Sequence, residues 1–146
     1  MNKGITCSLY EGDFPSFLQY LSKENCIFFA EHCSAIYSKD QLLPCRKECF
    51  YMSADELMML SHSTIWELVL FLFPPNAPSQ KRIETYDEFV QSSCLCCLIF
   101  YDCGLLDLYV KDEKRLGEFW DKLESLGARD MAISTDMNDH RIVLNC

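Results

Sequence analysis

Positive charge is scarce in this chain. Only 13 lysines and arginines stand against 22 aspartates and glutamates, a formal charge of -9 over 146 residues. The few bases are scattered: Arg46-Lys47, Lys81-Arg82 and Lys114-Arg115 are short, isolated pairs. A phosphate backbone would be repelled by such a surface, so no nucleic acid is expected as partner. Glycine is also sparse. Gly4, Gly12, Gly104, Gly117 and Gly127 form neither a phosphate-cradling loop nor a dinucleotide fingerprint. No G-x-S-x-G and no H-E-x-x-H is present, which disfavours the enzymes those motifs mark. Long apolar runs are missing as well. The densest, Ile65 to Phe73, is interrupted by Glu67 and ended by Pro74-Pro75. It falls well below the roughly 20 apolar residues that span a membrane, so no membrane partner is expected. The first residues, Met1-Asn2-Lys3-Gly4-Ile5-Thr6-Cys7, lack the apolar stretch of an export signal.

Apolar material is nonetheless plentiful. Hydrophobic residues make up 49% of the chain, which argues for a packed core. Its length suits one domain, residues 1–146. Ten cysteines are present, three of them within the apolar run at Cys94, Cys96 and Cys97. With no export signal they read as reduced thiols used as small buried hydrophobes, and a cytoplasmic location follows.

Periodicity places the elements. Ile5, Cys7 and Leu9 alternate along a strand over Gly4 to Tyr10. Asp13 and Pro15 open a helix that runs to about Ser22. Asn25 to Ser38 suggests one strand, or two that form a bent hairpin around Glu31 to Ser34. Leu42 to Cys49 is ambiguous, with Pro44 as a breaker. Ser53-Ala54-Asp55-Glu56 and Thr85-Tyr86-Asp87-Glu88 are capping boxes, each opening a short helix. Trp66 to Phe73 reads as a buried strand, with a helix as the alternative. Pro74 to Gln80 is a loop. Cys94 to Tyr101 and Leu105 to Val110 form a hairpin about Asp102-Cys103-Gly104.

Asp112 caps a helix whose Leu116, Phe119, Trp120, Leu123 and Leu126 make one apolar stripe. Lys114, Glu118, Asp121 and Lys122 face outward, and Gly127 closes the helix. Met131 to Thr135 and Arg141 to Cys146 are expected to form a terminal hairpin. The fold class expected is α+β: a mostly antiparallel sheet with three to four short helices packed on one face.

Chemistry is hard to find in these residues. Cys94-Leu95-Cys96-Cys97 contains a C-x-x-C spacing, but in a strand-like run residues three apart point to opposite faces. Cys45 and Cys49, with Cys26, Cys33 and His32, are loose zinc candidates. His140 could face Cys103 or Cys146 as a nucleophile and base pair. Asp136, Asn138 and Asp139 resemble the start of a calcium loop, but Arg141 stands where the glycine belongs. Packing, surface exposure and turn chemistry explain these features better. No catalytic, cofactor-binding or metal-ligating residue is assigned, and no cofactor is expected.

Lys3-Gly4-Ile5-Thr6, Ile83-Glu84-Thr85-Tyr86-Asp87-Glu88-Phe89 and Thr135-Asp136-Met137-Asn138-Asp139-His140-Arg141 carry a resemblance to a family of small bacterial proteins without assigned activity. The family is found in Bacillus-like Firmicutes, and its order of elements is similar. The cysteine content departs from its pattern. The resemblance implies a bacterial single-domain protein and carries over no functional residue.

The functional expectation is a non-enzymatic protein-binding module of the immunity or conflict-system inhibitor type. Aromatic residues at 13% would anchor its interface, and acidic groups would steer a basic protein partner. The alternatives are a small cysteine- or zinc-dependent enzyme and a homo-oligomeric structural protein.

Overall fold

The computed structural model describes residues 2–37, 50–77 and 82–145. Its elements are β1 (Asn2–Ser8), α1 (Phe14–Ser22), β2 (Ile27–Tyr37), β3 (Phe50–Met52), α2 (Ala54–Leu60), β4 (Ser63–Phe73), α3 (Tyr86–Gln91), β5 (Cys96–Tyr101), β6 (Leu105–Val110), α4 (Glu113–Ser125) and β7 (Arg129–Thr135). The strands form one seven-stranded sheet in the order β3-β2-β4-β5-β6-β1-β7. Every pairing is antiparallel. The fold is α+β, as the sequence leads one to expect.

Strand alternation sorts the core into two layers. Leu68, Leu70 and Leu72 of β4 and Cys96, Leu98 and Phe100 of β5 face α1, α2 and α4. Phe14 of α1 stacks on Phe100 with ring centroids 3.9 Å apart, and Phe17 meets Phe119 of α4 edge-on. The alternate residues Val69, Phe71, Phe73, Cys97 and Ile99 face the other way. Expecting all helices on one face is therefore wrong. Phe89 of α3, with Ile83 and Leu144, covers the second face. An apolar strand such as β4 is buried on both sides and needs a cover on each.

Both capping boxes form. Ser53 accepts from the Glu56 N–H and Thr85 from the Glu88 N–H, and each glutamate reaches back to its cap. Asp112 caps α4 through the Lys114 N–H, whereas Asp13 precedes α1 without a side-chain capping bond. Asp102 and Cys103 adopt positive φ of 50° and 56° in the β5–β6 turn. With Gly104 they make a three-residue connection between Tyr101 and Leu105, in which the Gly104 N–H donates to the Tyr101 carbonyl.

Of the two readings of Asn25 to Ser38, the single strand holds and the hairpin does not: β2 runs through Glu31 to Ser34 with a register shift between Ala30 and His32. A bulge absorbs the polar residues that read as a turn. The terminal hairpin is absent too. β7 pairs with β1 instead. The chain then crosses to the second face, where Val143 bridges Thr85, Tyr86 N–H donates to the Ile142 carbonyl and Leu144 N–H donates to the Glu84 carbonyl. Leu144 is wholly buried there, a position that pairing with β7 would deny it. The ambiguous segment Leu42 to Cys49, and Pro78 to Gln80 of the proline loop, lie outside the described residues.

Candidate functional site: a polar cleft on the second sheet face

Where β1, β6 and β7 run together the second face changes character. A cleft of about 590 Å³ opens there, lined by Thr6, Tyr101, Asp107, Ser134, Asn138, Asp139 and Arg141. The strand order builds it. β1 inserts between β6 and β7, so Thr6 pairs with Asp107 on one side and Ala132 on the other, and Gly4 pairs with Tyr109 and Ser134. Residues near the two ends of the sequence thereby share one surface.

Two ion-pair knots fasten the C-terminal segment over this surface. In the first, Lys3 Nζ lies 3.2 Å from Asp139 Oδ2, and Tyr109 Oη donates to the same oxygen at 2.9 Å. An irregularity in the β1–β7 register at Lys3 accompanies this placement. The ammonium also sits 4.0 Å above the Tyr86 ring, a favourable cation–π contact. In the second knot, Arg141 Nη2 donates to Asp107 Oδ2 at 2.6 Å and Tyr101 Oη donates to the same oxygen at 3.3 Å. Arg141 also donates to the Asn145 carbonyl through Nη1. The Arg141 backbone N–H donates to Asp139 Oδ1 and joins the two knots.

The two carboxylates are tuned in opposite directions. Burial lifts Asp107 above the usual carboxylate range, against the pull of Arg141 and the Tyr101 hydroxyl. Burial also acts to raise Asp139, but the Arg141 N–H, the Tyr109 hydroxyl and Lys3 outweigh it and hold that group below its ordinary value. Burial and the bond to Asp139 push the Tyr109 hydroxyl far up, so it remains a donor. The site therefore presents fixed hydrogen-bond groups and two carboxylates with different proton affinities.

The residues weighed from sequence lie elsewhere. Cys94 and Cys97 pack together in the second layer and Cys96 in the helix-side layer. The opposite-face argument fails for Cys94 because it precedes the strand. Desolvation raises Cys94 to about 12 and holds Cys96 and Cys97 well above an ordinary thiol. His32 is bonded to Glu67 at 2.8 Å, on the sheet face opposite the one that buries Cys33. Cys45, Cys49 and Cys146 lie outside the described residues. Among the described residues no three His, Cys, Asp or Glu side chains are grouped to hold a metal ion. His140 and Cys103 are both exposed, and no described hydrogen bond joins them.

Asp136 to Asp139 is a turn after β7. The Thr135 N–H donates to Asn138 Oδ1 and Asn138 Nδ2 donates to the Ile133 carbonyl. Sequence reading missed the cleft itself. The available signal was Asp107, one charge inside the apolar strand Leu105 to Val110.

Thiol labelling checks this placement. A soluble alkylating reagent should modify exposed Cys103 first and half-buried Cys26 more slowly. Cys94, Cys96 and Cys97 should stay protected until the protein unfolds. Mass spectrometry of timed digests reads this out. Labelling of the Cys94–Cys97 peptide as fast as Cys103 would contradict the buried packing.

Residues 51–145 match the model of a family described as a protein of unknown function (DUF2691). The chain belongs to that family. The match begins within β3 and takes in the cleft residues Tyr101, Asp107, Ser134, Asn138, Asp139 and Arg141, while Lys3 and Thr6 precede it. No curated protein and no solved structure matches the chain. Among the described residues no helix is long and apolar enough to cross a membrane.

Proposed function

We propose that the protein is a non-enzymatic binding module, of the immunity or conflict-system inhibitor type, that docks a basic protein partner on the outer lip of the cleft. One observation carries the reading. Met137, Ile142 and Val143 are 88%, 71% and 47% exposed, although their neighbours Asp139, Arg141 and Leu144 are tied down by the two knots and the second core layer.

The backbone thus holds three apolar side chains outward on an anchored segment. A partner meeting a pre-ordered surface loses less conformational entropy than one meeting a loose tail. Acidic groups surround the lip. Asp87 and Asp136 act electrostatically on Tyr86, and the Glu84 carbonyl is bonded to Leu144. Apolar anchors within an acidic rim suit a partner with an apolar contact and basic flanks. The same reading puts the protein in the cytoplasm of a Bacillus-like Firmicute, where thiols such as Cys94, Cys96 and Cys97 stay reduced.

Site-specific photo-crosslinking in the native host tests it. A photo-reactive residue at position 142 should trap one basic protein, and Val143→Asp should abolish the adduct. The same probe at Glu118 on the outer face of α4 should trap none. Equal trapping at both positions, or none at 142, would overturn the proposal.

A further inference from the structure

The fold leaves three acceptors in the cleft unused. Asp107 engages Arg141 and Tyr101 through Oδ2 alone, leaving Oδ1 open. Ser134 is only 3% exposed, lines the cleft, and its hydroxyl bonds to no described residue. Thr6 lies directly across from Asp107 on the neighbouring strand, and its hydroxyl is unengaged among the described residues as well. The Ser134 hydroxyl is not sealed from the cleft, so a ligand there can reach it as an acceptor.

The chemistry of that occupant follows from what the cleft offers. None of its lining residues is aliphatic, so an apolar group gains little. An anionic group would find Arg141 already paired and would face Asp107 and Asp139. Four carboxylates, Asp102, Asp107, Asp136 and Asp139, act on the groups around the cleft. Arg141 is the cation among the lining residues, and Lys3 pairs with the lining residue Asp139. The local field therefore favours a cation. An ammonium carries three donors and no acceptor, and one carboxylate oxygen with two hydroxyl oxygens matches it in number.

We propose that the cleft binds a primary ammonium group, presented by a lysine side chain of the partner, with Asp107 Oδ1, Ser134 Oγ and Thr6 Oγ1 as its three acceptors. The lysine rests on the binding-module reading above; the ammonium site does not. Arg141 approaches Asp107 from the Oδ2 side, which leaves the Oδ1 side to the incoming cation. Met137 and Ile142 are exposed and adjoin the lining residues Asn138 and Arg141 in sequence. They would contact the stem of the inserted side chain and the partner's apolar surface.

NMR titration of the whole protein tests the site with n-butylammonium, N-acetyl-lysine-methylamide and tetramethylammonium at fixed ionic strength. The first two should give saturable amide shifts at Thr6, Asp107 and Ser134. Tetramethylammonium carries the charge without donors and should bind about tenfold more weakly or not at all. Ser134→Ala should weaken n-butylammonium by about tenfold while leaving shifts outside the cleft in place. Thr6→Val is the second variant, should Ser134→Ala disturb the fold.

Equal shifts with tetramethylammonium, unchanged binding in both variants, or no saturable shift would overturn the site. Binding of n-butylammonium without the lysine derivative would overturn the lysine assignment. The crosslink from position 142 separates the two readings. An adduct that survives Ser134→Ala leaves the module standing and removes the lysine assignment, and the n-butylammonium titration decides the ammonium site by itself. Ammonium binding without any adduct leaves the ammonium site standing and removes the module.

Discussion

Gly4→Ala should remove a large share of the protein's stability, about 4 kcal/mol or more. Gly4 lies in β1, between β6 and β7, opposite Tyr109 and Ser134. A methyl group there would run into the Leu108 carbonyl, with the carbonyl carbon at 2.8 Å and Tyr109 Cα at 2.9 Å. All three obstacles are backbone, so no rotamer change relieves them. The strand must part from β6, which breaks the sheet where it joins the N-terminal strand to the C-terminal segment. Ordinary overpacking costs about 1–3 kcal/mol. A clash with fixed backbone belongs in the exceptional range of roughly 4 kcal/mol or more, against a total stability of about 5–15 kcal/mol.

Gly117→Ala is the matching control. Gly117 lies within α4, and an added methyl there meets nothing within 4 Å. Replacing an exposed helical glycine by alanine should stabilise by up to about 1 kcal/mol. Urea denaturation followed by circular dichroism gives both values. A Gly4→Ala midpoint close to that of the parent would show that β1 does not run as close to β6 as the structure places it.

Local chemistry was legible in the sequence wherever one element decided the outcome. The stripe Leu116, Phe119 and Leu123 is the buried face of α4, and both capping boxes start helices where Ser53 and Thr85 stand. Alternation of Ile5, Cys7 and Leu9 also predicts the core face of β1 correctly. Failures arose where a distant partner decided. Nothing local in Glu31 and His32 distinguishes a bulged strand from a turn, because β4 supplies the pairing that straightens it. Arg141 to Asn145 has a strand-like pattern, but its backbone bonds go to Glu84 and Tyr86, where Leu144 is buried, and the outer edge of β7 stays unpaired among the described residues.

The cleft was invisible for the same reason. Asp107 in an apolar strand is a local signal, but its neighbours are set by strand order. Only insertion of β1 between β6 and β7 brings Lys3 and Thr6 to Ser134, Asp139 and Arg141. Those contacts span nearly the whole chain, and no window of sequence contains both partners.

Lys3→Met is expected to loosen the C-terminal segment and cost about 2–3 kcal/mol at neutral pH. The replacement keeps the side-chain volume and removes the charge. It takes from Asp139 its ammonium partner at 3.2 Å and from Tyr86 its cation–π contact. Breaking a fully buried pair costs about 3–5 kcal/mol. The expected loss is smaller because Asp139 keeps the Tyr109 hydroxyl and the Arg141 N–H.

The sign of the pH dependence identifies the cause. Asp139 has a depressed folded-state pKa, so its contribution is present above the unfolded carboxylate value and is lost as pH falls through the folded one. Lys3 is one of the groups that depress it. The gap between parent and Lys3→Met should therefore close as the pH drops below about 4. Asp107 works in the opposite sense. Its folded pKa is raised, so its contribution is intact below the unfolded value and declines as pH rises through the folded one. Lys3→Met removes part of the first dependence and leaves the second, so the variant's stability should rise less steeply with pH than the parent's. Denaturation midpoints at acid and neutral pH decide the matter. A gap of constant size would mean that Lys3 acts by packing alone, and the charged knot would then not be what holds the C-terminal segment over the cleft.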